Sequence, residues 1–164
     1  MTFFEKILPA SANNDFRGSP IAFYAFIVLS ILYTGRSLIH FLKNDSGVNS
    51  IASFINFGGT PDPDRLVYMY SSLWGSQQLI TVGIFWLVAF KYRSLLPCMY
   101  LMVIFELLLR FVPGRLHQIG PEYFEHTPPG SAGNLPLLLV ACVMLILSLR
   151  HRQTPKSAVD DGPC

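Results

Sequence analysis

The sequence predicts an all-α protein, a four-helix transmembrane bundle with both termini cytoplasmic. Three observations predict it. Four long apolar runs, at about 21–42, 66–90, 95–112 and 135–149, fill half of a 164-residue chain. A helix crosses the roughly 30 Å hydrocarbon core of a bilayer with about 20 mostly apolar residues. Charged residues are 13% of the chain and hydrophobic ones 51%, where a soluble domain carries about 25% charge. Lysine and arginine are also unevenly divided between the two ends. One end holds Lys6, Arg17, Lys91, Arg93, Arg150, Arg152 and Lys156, and the other only Lys43, Arg65 and Arg115. The positive-inside rule puts the first set, with both termini, in the cytoplasm.

Residues 1–19 form an N-terminal arm. Its apolar cluster Phe3, Phe4, Ile7 and Leu8 suits the membrane interface. The stretch has acidic and basic residues and no apolar core ahead of a cleavage site, so no cleavable signal peptide is expected. Pro20 stands where the first turn of a helix tolerates proline. Span one then runs to about Leu42, and Lys43-Asn44-Asp45 stops it.

The first outer loop carries Val48, Ile51, Ala52, Phe54, Ile55 and Phe57 at a spacing that predicts a short interfacial helix. Gly58-Gly59 ends that helix, and Thr60-Pro61-Asp62-Pro63-Asp64 is a turn signal. Span two follows. Its link to span three is so short that the two form an antiparallel hairpin. Pro113-Gly114 is expected to close span three. Span four, about 15 residues from Leu135, reaches about 22 Å unless residues 131–134 also join the helix. Residues 20–150 make up the membrane domain. Residues 151–164, polar and proline-containing, read as a disordered cytoplasmic tail.

Composition excludes several functions. The net charge of +2 and the lack of a basic, aromatic-studded stretch argue against nucleic acid as a partner. There is no HExxH, no glycine-rich phosphate loop and no GxSxG elbow. Cys98 and Cys142 fall inside spans as small apolar residues. The outer-loop residues His117, Glu122, Glu125 and His126 match no metal signature. No metal and no cofactor are expected.

Polar residues inside spans are costly and mark functional candidates. Here they are Arg36 and His40 on span one, Gln77 and Gln78 on span two, and Glu106 and Arg110 on span three. Glu106 is roughly 18 Å from the inner face at helical rise, with Arg110 one turn further out. Gln77 and Gln78 are mid-span, and Arg36 and His40 lie in the outer third. The set makes a polar layer confined to the outer half. Arg36 shares a face with His40, and Glu106 shares one with Arg110, acid first, the favourable order. Ser71, Gly75, Gln78 and Val82 share a face whose small residues admit a neighbouring helix. Gln78 is therefore the inward glutamine.

The expected ligand-binding residues are Arg36, His40, Gln78, Glu106 and Arg110. Two arginines against one glutamate leave one positive charge, and guanidinium takes carboxylate or phosphate in a bidentate grip. That chemistry suits an acidic lipid headgroup or an amphiphile with an acidic end. A purely structural account stays open: Glu106 pairs with Arg110, the glutamine bonds across helices, and Arg36 snorkels to headgroups.

Three roles follow. The favoured one is a non-catalytic membrane protein that binds an amphiphile or serves as a subunit beside a membrane-protein partner or further copies of itself. The second is a small enzyme acting on a lipid or quinone, with Glu106 and His40 as acid–base groups. The third is an oligomeric transporter or channel, against which stand the absence of an inverted repeat and of polar residues in the inner half. Glu106-Leu-Leu-Leu-Arg110, Pro113-Gly114-Arg115 and the stretch from Thr127-Pro-Pro-Gly130 to Asn134 resemble the small four-span bacterial membrane proteins catalogued as domains of unknown function. The resemblance implies a four-helix protein of the bacterial inner membrane and no particular activity.

Overall fold

The computed structural model describes residues 3–150. It contains a short helix α1 (Phe3–Ile7) and four long ones, α2 (Pro20–Leu42), α3 (Asp64–Lys91), α4 (Leu96–Leu116) and α5 (Pro129–Leu149). All four long helices have the length and composition to cross a membrane. Among the described residues no strand forms, only one isolated antiparallel bridge between Phe54 and Phe124. The tail at 151–164, with Arg152 and Lys156, lies outside the described residues.

Local chemistry sets the helix ends. Ser19 caps α2, its Oγ accepting from the Ile21 amide at 3.3 Å, and Pro20 follows at the first turn. A side-chain cap of this kind satisfies one of the orphan donors of the first turn. Hydroxyls within α2 bond back to carbonyls one turn earlier, Ser30 to Phe26 and Ser37 to Tyr33. They are thus satisfied without water.

Two spans outrun their predicted ends. The helix of span three continues through Pro113 and Gly114 to Leu116, and the His117 amide closes the last turn on the Pro113 carbonyl at 2.8 Å. A proline this near a C-terminus forfeits one backbone bond and leaves the turn behind it free to form. Span four starts six residues early, at Pro129, so residues 131–134 do enter it. Proline at the first turn loses no hydrogen bond, because those amides have no intrahelical partner. The resulting 21 residues reach about 31 Å, and the predicted mismatch with the bilayer disappears.

The interfacial helix predicted in the first outer loop does not form. Residues 44–52 are turns. The Asp45 carboxylate accepts from the Gly47 amide at 3.2 Å and the Ser50 amide at 2.8 Å. Ser46 and Gly47 adopt positive φ angles of 48° and 70°, which a helix does not tolerate. The apolar residues of this loop pack on the second outer loop instead. Ile55 donates to the Tyr123 carbonyl, Glu125 donates to the Ser53 carbonyl, and the rings of Phe54 and Phe124 are 4.5 Å apart.

α2 packs most extensively on α3, and α4 on α5, while α2 also touches α5. The antiparallel neighbours α3 and α4 make little direct contact despite their short link. The core sits toward the end where α2 begins and α5 finishes. Phe26 meets Phe85 at 5.3 Å and Tyr100 at 5.7 Å, among Leu96, Val103 and Leu107. The Tyr100 hydroxyl donates to the Ala22 carbonyl at 2.7 Å. The N-terminal arm closes this end: Ile7 is buried, Ser94 and Asn13 exchange bonds, and Ser19 donates to the Leu147 carbonyl.

Candidate functional site

The opposite half of the bundle holds a polar cluster built by three helices. α2 supplies Tyr33, Arg36, Ser37 and His40 from successive turns of its buried face. α3 supplies Trp74 and Gln78, and α4 supplies Glu106 and Arg110. The α2–α3 seam is tight because of Gly75. A β-carbon there would stand 2.7 Å from the Phe41 nitrogen and 2.8 Å from the His40 carbonyl carbon. This close approach brings the Gln78 amide within 3.3 Å of Ser37 Oγ, whose proton goes to the Tyr33 carbonyl at 2.7 Å. Gln78 is buried and Gln77 exposed, as the shared face with Gly75 requires.

All five expected residues fall within this cluster. Arg110 is ion-paired with Glu106 one turn below it, their side chains 18% and 34% exposed. Arg36 has no carboxylate within ion-pair distance among the described residues. Its guanidinium lies instead over the Trp74 ring, 4.7 Å from the centroid, and the Arg110 guanidinium is 5.9 Å from the same ring. Cation–π contact of this kind stabilises a guanidinium that has no anion. Tyr33 is within electrostatic reach of Glu106, Arg110 and Arg36. Its hydroxyl is buried within hydrogen-bonding reach of the Glu106 carboxylate, and Gln78 Nε2 is buried without a partner. A buried polar group left unpaired costs about 1–3 kcal/mol, so the Gln78 amide calls for a partner.

His40 is held differently. Its Nδ1 is 2.7 Å from the Ser46 carbonyl and 3.2 Å from Ser71 Oγ, which itself donates to the same carbonyl at 2.9 Å. The ring packs on Trp74, centroids 4.9 Å apart. His40 thereby ties the first outer loop to both helices. Just beyond it, burial acts to raise the Asp45 carboxyl, but bonds from Ser50 and Gly47 and the nearby Lys43 ammonium outweigh it. The group ends below the usual carboxylate range.

A groove of about 540 Å³ runs between α3 and α4, where the two helices part. Thr81, Phe85, Cys98, Met102, Phe105 and Glu106 are among its lining. It is overwhelmingly apolar, and Glu106 belongs to both groove and cluster. Among the described residues no three histidine, cysteine, aspartate or glutamate side chains converge as metal ligands.

Sequence reasoning missed Trp74 as the platform of the cluster. The available signal was its position one turn before Gln78 and next to Gly75. Tyr33 was visible one turn before Arg36, but its approach to Glu106 is a property of the packed bundle.

Fold and site together define a multi-pass, four-helix membrane protein with a polar cluster at one end of an apolar groove. No protein-family model matches the chain, and neither does any curated protein or solved structure.

Proposed function

We propose that this protein is a non-catalytic, amphiphile-binding protein of the bacterial inner membrane. The polar cluster takes an anionic head and the α3–α4 groove takes an apolar tail. One observation carries the reading: Arg36, a guanidinium with no carboxylate of its own, rests on Trp74 beside the Glu106–Arg110 pair, and Glu106 also lines an apolar groove. Ligand sites combine a large apolar lining with a few convergent polar groups, typically in about 300–1,000 Å³. The positive-inside rule directs the cluster and its covering loops outward, away from the cytoplasm. The engagement of His40 Nδ1 with Ser46 and Ser71 supports a positioning role over an acid–base one.

Native mass spectrometry of the protein purified in mild detergent, with identification of retained lipids, tests the proposal. The expected result is an acidic amphiphile held at one copy per chain and lost in Arg36→Ala, with the helical circular dichroism unchanged. A chain that retains nothing, or retains the same lipid after Arg36→Ala, overturns it.

A further inference from the structure

We infer that two copies of this chain associate through α3, along a seam centred on the Gln77 amide; the pairing goes beyond the binding role proposed above and does not depend on it. Gln77 stands midway along the 28 residues of α3, which sets it near the midplane of the bilayer. Its side chain is exposed. Among the described residues it is the one amide or charged side chain exposed in the central turns of the four long helices. Elsewhere the outward faces are apolar, as with Val28 and Ile31 on α2 or Leu139 and Val143 on α5.

Hydrocarbon offers an amide no hydrogen-bond partner. The helix itself offers little. The carbonyl one turn earlier, that of Leu73, already accepts from the Ser76 hydroxyl at 2.7 Å and from the Gln77 backbone amide. A partner must therefore come from another chain and reach the middle of the membrane. The face around Gln77 is shaped for a helix. Tyr70, Leu73, Ile80, Ile84 and Leu87 are all exposed and follow one another through Gln77 at alternating steps of three and four residues. That spacing makes an a/d seam with Gln77 at an a position, where a single polar residue fixes register and partner number.

Self-complementarity points to a second copy. The same lysine and arginine bias inserts every copy the same way round, so two α3 helices run parallel and at equal depth. A two-fold axis along the membrane normal then sets each seam residue against its own counterpart. A charged side chain there would meet its like. An amide carries both donors and an acceptor, so two Gln77 side chains satisfy each other reciprocally across the seam.

Sedimentation equilibrium of the full-length protein in density-matched, uncharged detergent reads the association. A reversible dimer is expected. Loss of the paired amides in Gln77→Leu should weaken it about tenfold, while Gln77→Asn, which keeps an amide, should retain most of it. Gln77 lies outside the core, so the helical circular dichroism of both variants should match the parent. In membranes, mild oxidation should cross-link Ile80→Cys to its own copy and leave Val28→Cys, on the outward face of α2, at the wild-type background. A monomer at every concentration with no Ile80→Cys cross-link overturns the inference. So does a dimer as tight in Gln77→Leu as in the parent, or equal cross-linking at the two positions. Recovery of the chain only in complex with a different protein overturns it as well.

Discussion

The two halves of this bundle are built from the same helices and solve opposite problems. In the half where α2 begins and α5 finishes, Phe26, Phe85, Tyr100 and Leu96 fill the space between helices, and the arm seals the end through Ser19 and Asn13. Its one buried phenol, Tyr100, has a carbonyl partner. In the other half, Arg36 rests on the Trp74 face, Glu106 pairs with Arg110, and Gln78 Nε2 is buried without a partner, while the α3–α4 groove runs along both halves, from Cys98 to Leu109. The lesson is that the bundle carries its ionisable and amide groups in one half and seals the other with aromatic and aliphatic packing.

The comparison can be broken most forcefully at the core. Phe26→Ala should cost about 3 kcal/mol through the cavity it leaves, read as a large drop in unfolding temperature in detergent. A cost as small as that of Thr81→Ala would mean that the two halves do not differ in packing. Gly75→Val comes next. It forces α3 from α2 at His40 and Phe41, and overpacking of this sort costs about 1–3 kcal/mol. It should also weaken amphiphile retention, since Gln78 and Trp74 ride on the displaced helix; unchanged retention would detach the cluster from the seam.

A subtler contrast concerns Glu106 and Arg110. Glu106→Gln leaves Arg110 without its carboxylate and should destabilise by about 1 kcal/mol, well under a fully buried pair because both groups are partly exposed. The double change with Arg110→Met should recover part of that loss. Equal losses in the single and double variants would argue that the two side chains do not interact.

The smallest effect belongs to the outer loop. Asp45 has a folded-state pKa below its ordinary value, so its contribution is present above the unfolded pKa and fades as pH falls through the folded one. Unfolding temperature should therefore decline as pH drops through and below the ordinary carboxylate range, and Asp45→Asn should flatten part of that decline. Identical pH profiles would remove Asp45 from the account of how the loop is held.

Much of the architecture was legible beforehand because apolar length is written locally. The starts of spans one and two differ from the observed Pro20 and Asp64 by one or two residues. Span four was misjudged because Pro129, Gly130 and Gly133 look like a loop when hydropathy is the guide, whereas a helix start accepts them. The outer loop was misread for the converse reason. Its apolar spacing fits a helix, but its partners Tyr123 and Phe124 lie about seventy residues away in sequence, beyond the reach of any local pattern. The candidate residues themselves were visible, because ionisable and amide groups in an apolar run stand out.

The sequence by itself determined that four membrane-crossing helices form and which polar side chains must be carried into the apolar layer. A segment with no water around it has to satisfy its backbone internally, and the residues that do so announce themselves by composition. Only the tertiary structure decided that Gly75 draws α2 against α3, that Trp74 lies beneath two guanidiniums, and that α3 and α4 part to leave a groove. Those outcomes depend on how helix surfaces fit one another, with small side chains admitting close approach and large ones preventing it. Such fit is a relation between distant segments, so it exists only once they have packed.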